Sequence, residues 1–348
     1  MKIKKNDLVA LDKFIEDSLY NPDSGYYMKK DPFGKRGDFI TAPNISILFS
    51  EMIAIWIISF WEKLNCPKQF NLIELGAGNG EMMKVLVDVF DKFPKFHTSC
   101  NINILEKSEL LKKVQKTNIK NANIIWLNNL NELNNLPCIF IANEFFDALP
   151  IKQFLKKNNK WHERHVRFCN KKKLEYVDIL FDMKKFEKKI KFKISYKQKF
   201  IEYSPLATEY LKIITNKFKR NNGGILIIDY AYFNKEMKNT LQAVAKHKYC
   251  DVLESFRNSD ITYNLSLKLI DKIVKKLGLI TSMTTTQRNF LIELGILERA
   301  EILSKNMPFS KKADIYFRIK RLIDDSQMGH LFKVLFITNY KNKFKLGF

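Results

Sequence analysis

The residues best suited to chemistry are gathered in Asn143-Glu144-Phe145-Phe146-Asp147. A carboxylate such as Glu144 can pair bidentately with a guanidinium. An adjacent amide and aromatic rings can orient and desolvate a nitrogen nucleophile, whose proton must then be accepted by some group. Asn143, Glu144, Phe145 and Asp147 are therefore the candidate catalytic residues. The plain alternatives are that Glu144 and Asp147 cap a following helix and that Phe145 and Phe146 pack in a core.

A second constellation is Gly76-Ala77-Gly78-Asn79-Gly80, with Glu74 before it and Glu81 after it. An apolar run from Phe70 to Leu75 leads into the glycines, and Glu81 to Phe90 carries apolar residues at helical spacing. The pattern predicts strand, tight turn and helix, the opening unit of a doubly wound sheet. Glycines let a ligand approach the backbone where a Cβ would block it. The same spacing also fits a nicotinamide or flavin site, or a turn with no ligand. A dinucleotide brings a pyrophosphate to the helix N-terminus, and Glu74 and Glu81 are poor neighbours for it. They suit S-adenosylmethionine, which carries an ammonium and a sulfonium. Glu106, after the second strand, stands where an acid can accept both ribose hydroxyls. Dinucleotide sites use such an acid too, and a solvated acid at a helix start is the bland alternative.

These residues need an α/β frame. Strands are expected at Phe70–Leu75, Asn101–Leu105, Asn123–Leu127, Cys138–Ala142, Ile225–Asp229, Ile280–Thr285 and Leu331–Thr338. Ser108 is placed to cap the helix after the second strand. Ahead of the sheet, Asp7 to Leu19 and Ser46 to Leu64 read as helices. Between them, Asp31 to Pro43 mixes Gly and Pro with aromatics, Asp38 and Thr41. That fits a strap over a binding site or simply over a core. Ile151–Lys157, Trp161–Phe168 and Leu174–Ile179 read as a β-meander. The expected organisation is a helical and strap extension over 1–66 and one elaborated domain over 67–348. A β-rich insertion falls near 151–222 and a helical one near 287–328.

Composition narrows the classes. At 348 residues and 46% hydrophobic, the chain can bury a full core. No apolar run is long enough to cross a bilayer, and the start shows a basic tip without the apolar region of a signal peptide. Cys66, Cys100, Cys138, Cys169 and Cys250 are scattered without a Cys-x-x-Cys pair, so they read as reduced thiols. A cytoplasmic location is the expectation. No metal site is expected: His162 and His165 are three apart on a strand, where i and i+3 face opposite sides. The net charge of +23 permits a nucleic-acid partner. Lysine far outnumbers the arginine that base readers favour, so A/T-rich coding accounts for the charge better. The densest runs are Lys171-Lys172-Lys173, Lys184-Lys185 and Lys188-Lys189.

Taken together, several segments resemble the MidA-like methyltransferases, a family that includes the mitochondrial complex I assembly factor that methylates a protein arginine. They are Gly37-Asp38-Phe39-Ile40-Thr41-Ala42-Pro43, Glu74-Leu75-Gly76, Asn143 to Pro150, Trp161-x-Glu163-Arg164 and Glu202-Tyr203-Ser204-Pro205. Thr240-Leu241-Gln242-Ala243, Asp260-Ile261-Thr262 and Gln327-Met328-Gly329 continue the match. The resemblance implies a class I, Rossmann-like methyltransferase fold that binds S-adenosylmethionine and an arginine acceptor on a protein. It places Gly37, Asp38, Thr41, Glu74, Gly76, Gly78, Gly80, Glu106 and Asn143 at the cofactor. The chain departs from the family at Ala77 and Glu81 in the glycine turn and at Ser255-Phe256-Arg257 in a late hairpin. An RNA methyltransferase using the basic surface and a non-catalytic, cofactor-binding assembly module are the competing functions.

Overall fold

A computed structural model describes residues 7–34, 37–120, 122–169, 173–339 and 344–348. Lys35, Arg36, Lys171, Lys172 and the basic start at Met1–Asn6 lie outside the described residues. The chain divides into two compact units interleaved in sequence. One is built from Asp31–Phe145, Leu211–Ala231 and Val274–Phe348, and the other from the start to Lys30, Phe146–Tyr210 and Tyr232–Ile273.

The first unit holds the expected doubly wound sheet. Its strands are β1 (Phe70–Leu75), β2 (Cys100–Leu105), β3 (Ile124–Leu127), β4 (Cys138–Asn143), β5 (Gly223–Tyr232), β6 (Ile280–Thr286) and β7 (Phe332–Thr338). They are ordered β3-β2-β1-β4-β5-β7-β6. The first five are parallel, and β7 runs antiparallel to both of its neighbours. β1 and β4 are buried at every position, as strands covered on both faces must be. Helix α1 (Ile47–Lys63) packs on one face and is buried over most of its circumference. The Ser46 hydroxyl caps it by accepting from Leu48 N–H.

Aromatic contacts fix that packing. Trp56 and Phe60 of α1 meet Phe336 of β7 edge to face, with ring centres 5.1 and 4.9 Å away. Gly224 makes room for them: a Cβ there would fall 2.5 Å from Phe336 and 3.0 Å from Phe60. The glycine pair opening β5 is thus required by close packing.

The second unit is antiparallel. Lys152–Lys157, Lys160–Phe168, Leu174–Leu180 and Phe200–Tyr203 form the expected meander with one further strand. Two local readings of the sequence change. Leu8–Ala10 is an edge strand on Lys160–Phe168, and the helix begins only at Leu11. Helical periodicity could not show that the first residues would find a strand edge. The lysine-rich segment contains a helix, Met183–Ile190, capped by Asp182. Its Phe186 lies against Phe154, Phe181 and Tyr203, so apolar residues three and four apart decide its conformation despite the lysines.

Gly224→Ala is expected to lower the stability of the chain by roughly 1–3 kcal/mol through overpacking. Phe60→Leu should offset part of that loss, because the two changes meet in one contact. Chemical denaturation of the two single variants and the double variant checks this.

Candidate functional site

At the carboxyl edge of the sheet, Leu75 of β1 lies in register with Ala142 of β4 and Asn143 with Ile228 of β5. The chain leaves β1 through Gly76, Gly78 and Gly80, which are all left-handed at φ 68°, 53° and 85°. Gly80 then caps helix α2 (Glu81–Phe90). A Cβ on Gly76 would lie 2.8 Å from the Phe145 ring, and one on Gly78 would lie 3.3 Å from Phe33. Rings from two separate segments therefore press on this turn, and only glycine fits beneath them.

Side-chain amides tie the turn to its surroundings. Gln115 Nε2 donates to Gly78 O at 2.8 Å, and Asn118 Nδ2 donates to Asn79 O at 2.9 Å. Both come from helix α3 (Glu109–Asn118), whose N-cap is Ser108 as expected. Asn79 Nδ2 donates to Asn44 Oδ1 at 3.0 Å, and Asn44 Nδ2 donates to Thr41 Oγ1 at 2.9 Å. That chain fastens the strap of residues 31–43. Within the strap, Asp38 N–H donates to Pro32 O and Gly34 N–H to Phe39 O. Phe33 and Phe39 pack edge to face at 5.5 Å.

The turn, the strap and the strand edge line a small cavity that is partly open to solvent. Thr41, Glu74, Gly76, Gly78, Asn143 and Glu144 all line it. Phe145 stands against Gly76. Gly37, Asp38 and Gly80 shape the strap and the turn and do not line the cavity. Glu106 is not among the lining residues; it is buried within electrostatic reach of Glu74. Asp147 belongs to the other unit, where it is buried and its carbonyl accepts from Tyr263 N–H.

The two acids differ in their partners. Glu106 accepts from Ser108 N–H at 2.8 Å and from Gln115 Nε2 at 3.1 Å. Burial pushes its pKa up while these donors oppose the rise. Glu74 is 3% exposed, and its Oε2 has no hydrogen-bond partner among the described residues. Burial, and secondarily the charge of Glu106, push it up to about 8. Asn143 Oδ1 is likewise buried without a partner among the described residues, while Asn143 Nδ2 donates to Glu144 Oε1 at 3.3 Å. Glu144 is left-handed at φ 51°, and its N–H donates to Ile228 O at 2.9 Å. It extends the β4–β5 ladder by one residue and then turns the chain sharply. A non-glycine residue held in that conformation stores strain of the kind found at functional sites.

Sequence reasoning missed Phe33, Asn44, Asn79 and Gln115. Asn79, between two glycines, was visible in the motif. Gln115, on the buried face of an amphipathic helix, was the detectable anomaly. Nothing local marked Asn44. In the other unit, Tyr27 donates to Asp260 at 2.6 Å and stacks on Tyr20, joining segments distant in sequence. Arg257, at a departure from the family pattern, is left-handed and its guanidinium pairs with Asp17.

A family model of S-adenosyl-L-methionine-dependent methyltransferases matches residues 52–285. The chain is similar to the protein arginine methyltransferase NDUFAF7 homolog, mitochondrial, of Drosophila melanogaster, with 25% identity covering 96% of this chain and 82% of that protein. It is also similar to protein arginine methyltransferase NDUFAF7, mitochondrial, of Homo sapiens, with 26% identity covering 95% and 80%. Among solved structures, a Burkholderia thailandensis protein bound to S-adenosyl-homocysteine shares the fold. Its TM-score is 0.82 at 21% identity, covering 95% of this chain and 88% of that one. The mitochondrial names of the relatives overturn the expectation of a cytoplasmic location. Scattered thiols do not distinguish one reducing compartment from another.

Because Glu74 holds its proton more tightly folded, at about 8, than in its ordinary carboxyl range near 4.5, its contribution has a definite sign. Stability present below the ordinary value is lost as pH rises through about 8. Glu74→Gln should therefore gain thermal stability over the unsubstituted protein progressively across that window, and match it at acid pH. Melting temperatures measured against pH check the crossover.

Proposed function

The chain belongs to the S-adenosyl-L-methionine-dependent methyltransferase family whose model spans residues 52–285, and on that premise we propose that it methylates a guanidino nitrogen of arginine in a protein. The names of the relatives support the acceptor class. The observation that carries the reading is Glu144, left-handed at the strand edge, a residue of the cavity lining whose carboxylate is held by Asn143.

The residues present suit the cofactor. Glu74 Oε2 and Asn143 Oδ1 are buried acceptors without partners among the described residues, and an ammonium and hydroxyl groups are the donors they lack. The bare backbone of Gly76 and Gly78 allows close approach. Glu106 would receive the ribose hydroxyls, while Asp38, Thr41 and Gly37 would secure the strap over the amino-acid end. When bound, the cofactor supplies a methyl group on a positively charged sulfur.

The protein's own part is positioning and proton acceptance. Glu144 accepts two guanidinium N–H groups and so fixes the plane of the acceptor. Its carboxylate also takes the proton that the nitrogen loses as the new N–C bond forms. Asn143 holds Glu144 Oε1 in place, and Phe145 keeps water from the reacting edge.

Glu144→Gln should reduce methyl transfer by on the order of 100-fold and leave cofactor affinity nearly unchanged. The assay supplies radiolabelled S-adenosylmethionine and an extract from cells lacking the protein, followed by amino-acid analysis for methylarginine. Label recovered in RNA or in lysine would reject the arginine assignment. Full activity of the variant would reject the role of Glu144. Calorimetry with S-adenosylmethionine on Gly76→Val, where the added side chain meets Phe145, should show no binding.

A further inference from the structure

Two helices of the sheet-bearing unit, Ile296–Ser304 and Phe309–Ile323, are joined by the short turn at residues 305–308. Their inner faces are committed to the core through Ile296, Ala300, Ile319 and Leu322. Their outer side carries large apolar residues in the open: Ile302 is 68% exposed, Phe309 86% and Phe317 72%. Ile302 and Phe309 flank the turn, with Met307 between them. Phe317 follows about 12 Å farther along the helix. Several large apolar groups left exposed on two adjoining helices are the kind of feature found at contact surfaces.

Charge restricts what the contact is. From Ile302 to Ala313 the sequence contains Lys305, Lys311 and Lys312 and no acidic residue. All three lysines are exposed, and none forms an ion pair among the described residues. Arg318, the next cation, is paired with Asp314 at 2.8 Å. The tip therefore combines protruding apolar groups with three lysines unpaired among the described residues, bounded by exposed Glu301 and by Asp314, which is neutralised by Arg318. A second copy is a poor occupant, because apposed tips would bring lysine against lysine on chains of net charge +23. Single-stranded nucleic acid favours stacking platforms and arginine, whereas here the protruding groups alternate between aromatic and aliphatic. Aliphatic and phenyl groups beside lysines match an anionic bilayer interface: the apolar groups enter the acyl boundary and the ammonium groups remain among the headgroups.

We propose that the 302–317 hairpin tip is a peripheral docking site for an anionic lipid surface, engaged by Phe309, Ile302 and Phe317 together with Lys305, Lys311 and Lys312. This contact is separate from the cofactor cavity and independent of the arginine reading. It requires no spanning segment, and no described helix is long and apolar enough to cross a membrane.

The test is co-sedimentation of the full chain with vesicles of phosphatidylcholine and phosphatidylglycerol in roughly a 3:1 ratio, against vesicles of phosphatidylcholine alone. Binding is expected to the anionic vesicles only. The double variant Ile302→Ser/Phe309→Ser should weaken it by roughly tenfold or more, and Lys311→Glu/Lys312→Glu by on the order of tenfold. Lys184→Glu/Lys188→Glu, on exposed positions of the Met183–Ile190 helix, makes the same change in net charge and should leave binding within about twofold. S-adenosylmethionine affinity serves as the folding control for every variant. Three results would overturn the proposal: no vesicle binding at low salt, equal losses from the 184/188 and 311/312 variants, or a serine double variant that binds normally. Phe309-dependent binding of an oligouridine probe without vesicle binding would also overturn it and assign the tip to RNA.

Discussion

Burial of two neighbouring carboxylates, Glu74 and Glu106, constrains everything around the cavity. Taking such charges out of water is costly unless donors or cations replace it. The protein answers that demand unevenly. Glu106 is given the Ser108 amide and the Gln115 side chain, and Gln115 also accepts from Trp126 Nε1 and donates to Gly78 O. One buried glutamine thus couples the acid at the end of β2, the glycine turn after β1 and helix α3. Glu74 receives no comparable set among the described residues: its Oε2 is buried without a partner, and the residue lines the cavity.

The opposite wall is organised by strand register. β1, β4 and β5 end nearly level, so residues far apart in sequence share one edge. Glu144 continues the β4–β5 hydrogen bonding once and then adopts a left-handed conformation that few residues accept without support. Phe145, next in the chain, closes over Gly76. The end of β4 and the glycine turn are therefore in van der Waals contact, and a change in one is transmitted to the other. The Asn79–Asn44–Thr41 chain adds the strap to the same assembly.

Surface charge divides into kinds that composition alone does not separate. The lysines of the Met183–Ile190 helix face outward from an apolar side occupied by Phe154, Phe181 and Tyr203, which is how a solvated face behaves. The lysines of the 302–313 hairpin accompany exposed Phe309 and Ile302. Drift toward lysine explains the first arrangement more readily than the second, because exposed rings beside free cations define a surface with both apolar and electrostatic complementarity.

The α/β pattern, the strands that compose the sheet, the glycine turn and the strand ending at Asn143 were all legible in the chain, because they rest on local rules. Apolar periodicity, β-branched runs and glycines at alternate positions act within a few residues. The bounds of Phe70–Leu75 and Glu81–Phe90 match those read from the pattern. Local rules gave the wrong conformation for Leu8–Ala10, whose pairing partner lies at His165–Arg167. They were also silent about Gln115 under the turn, Asn44 beside Asn79, and Tyr27 on Asp260. Each of those contacts joins residues whose chemistry is ordinary in isolation and becomes specific only when burial removes water and leaves one partner within reach. Residue type and spacing determined which groups the site contains; tertiary packing decided which acid the protein supplies with donors and which it does not, because only burial and the placement of Ser108 and Gln115 fix those partners.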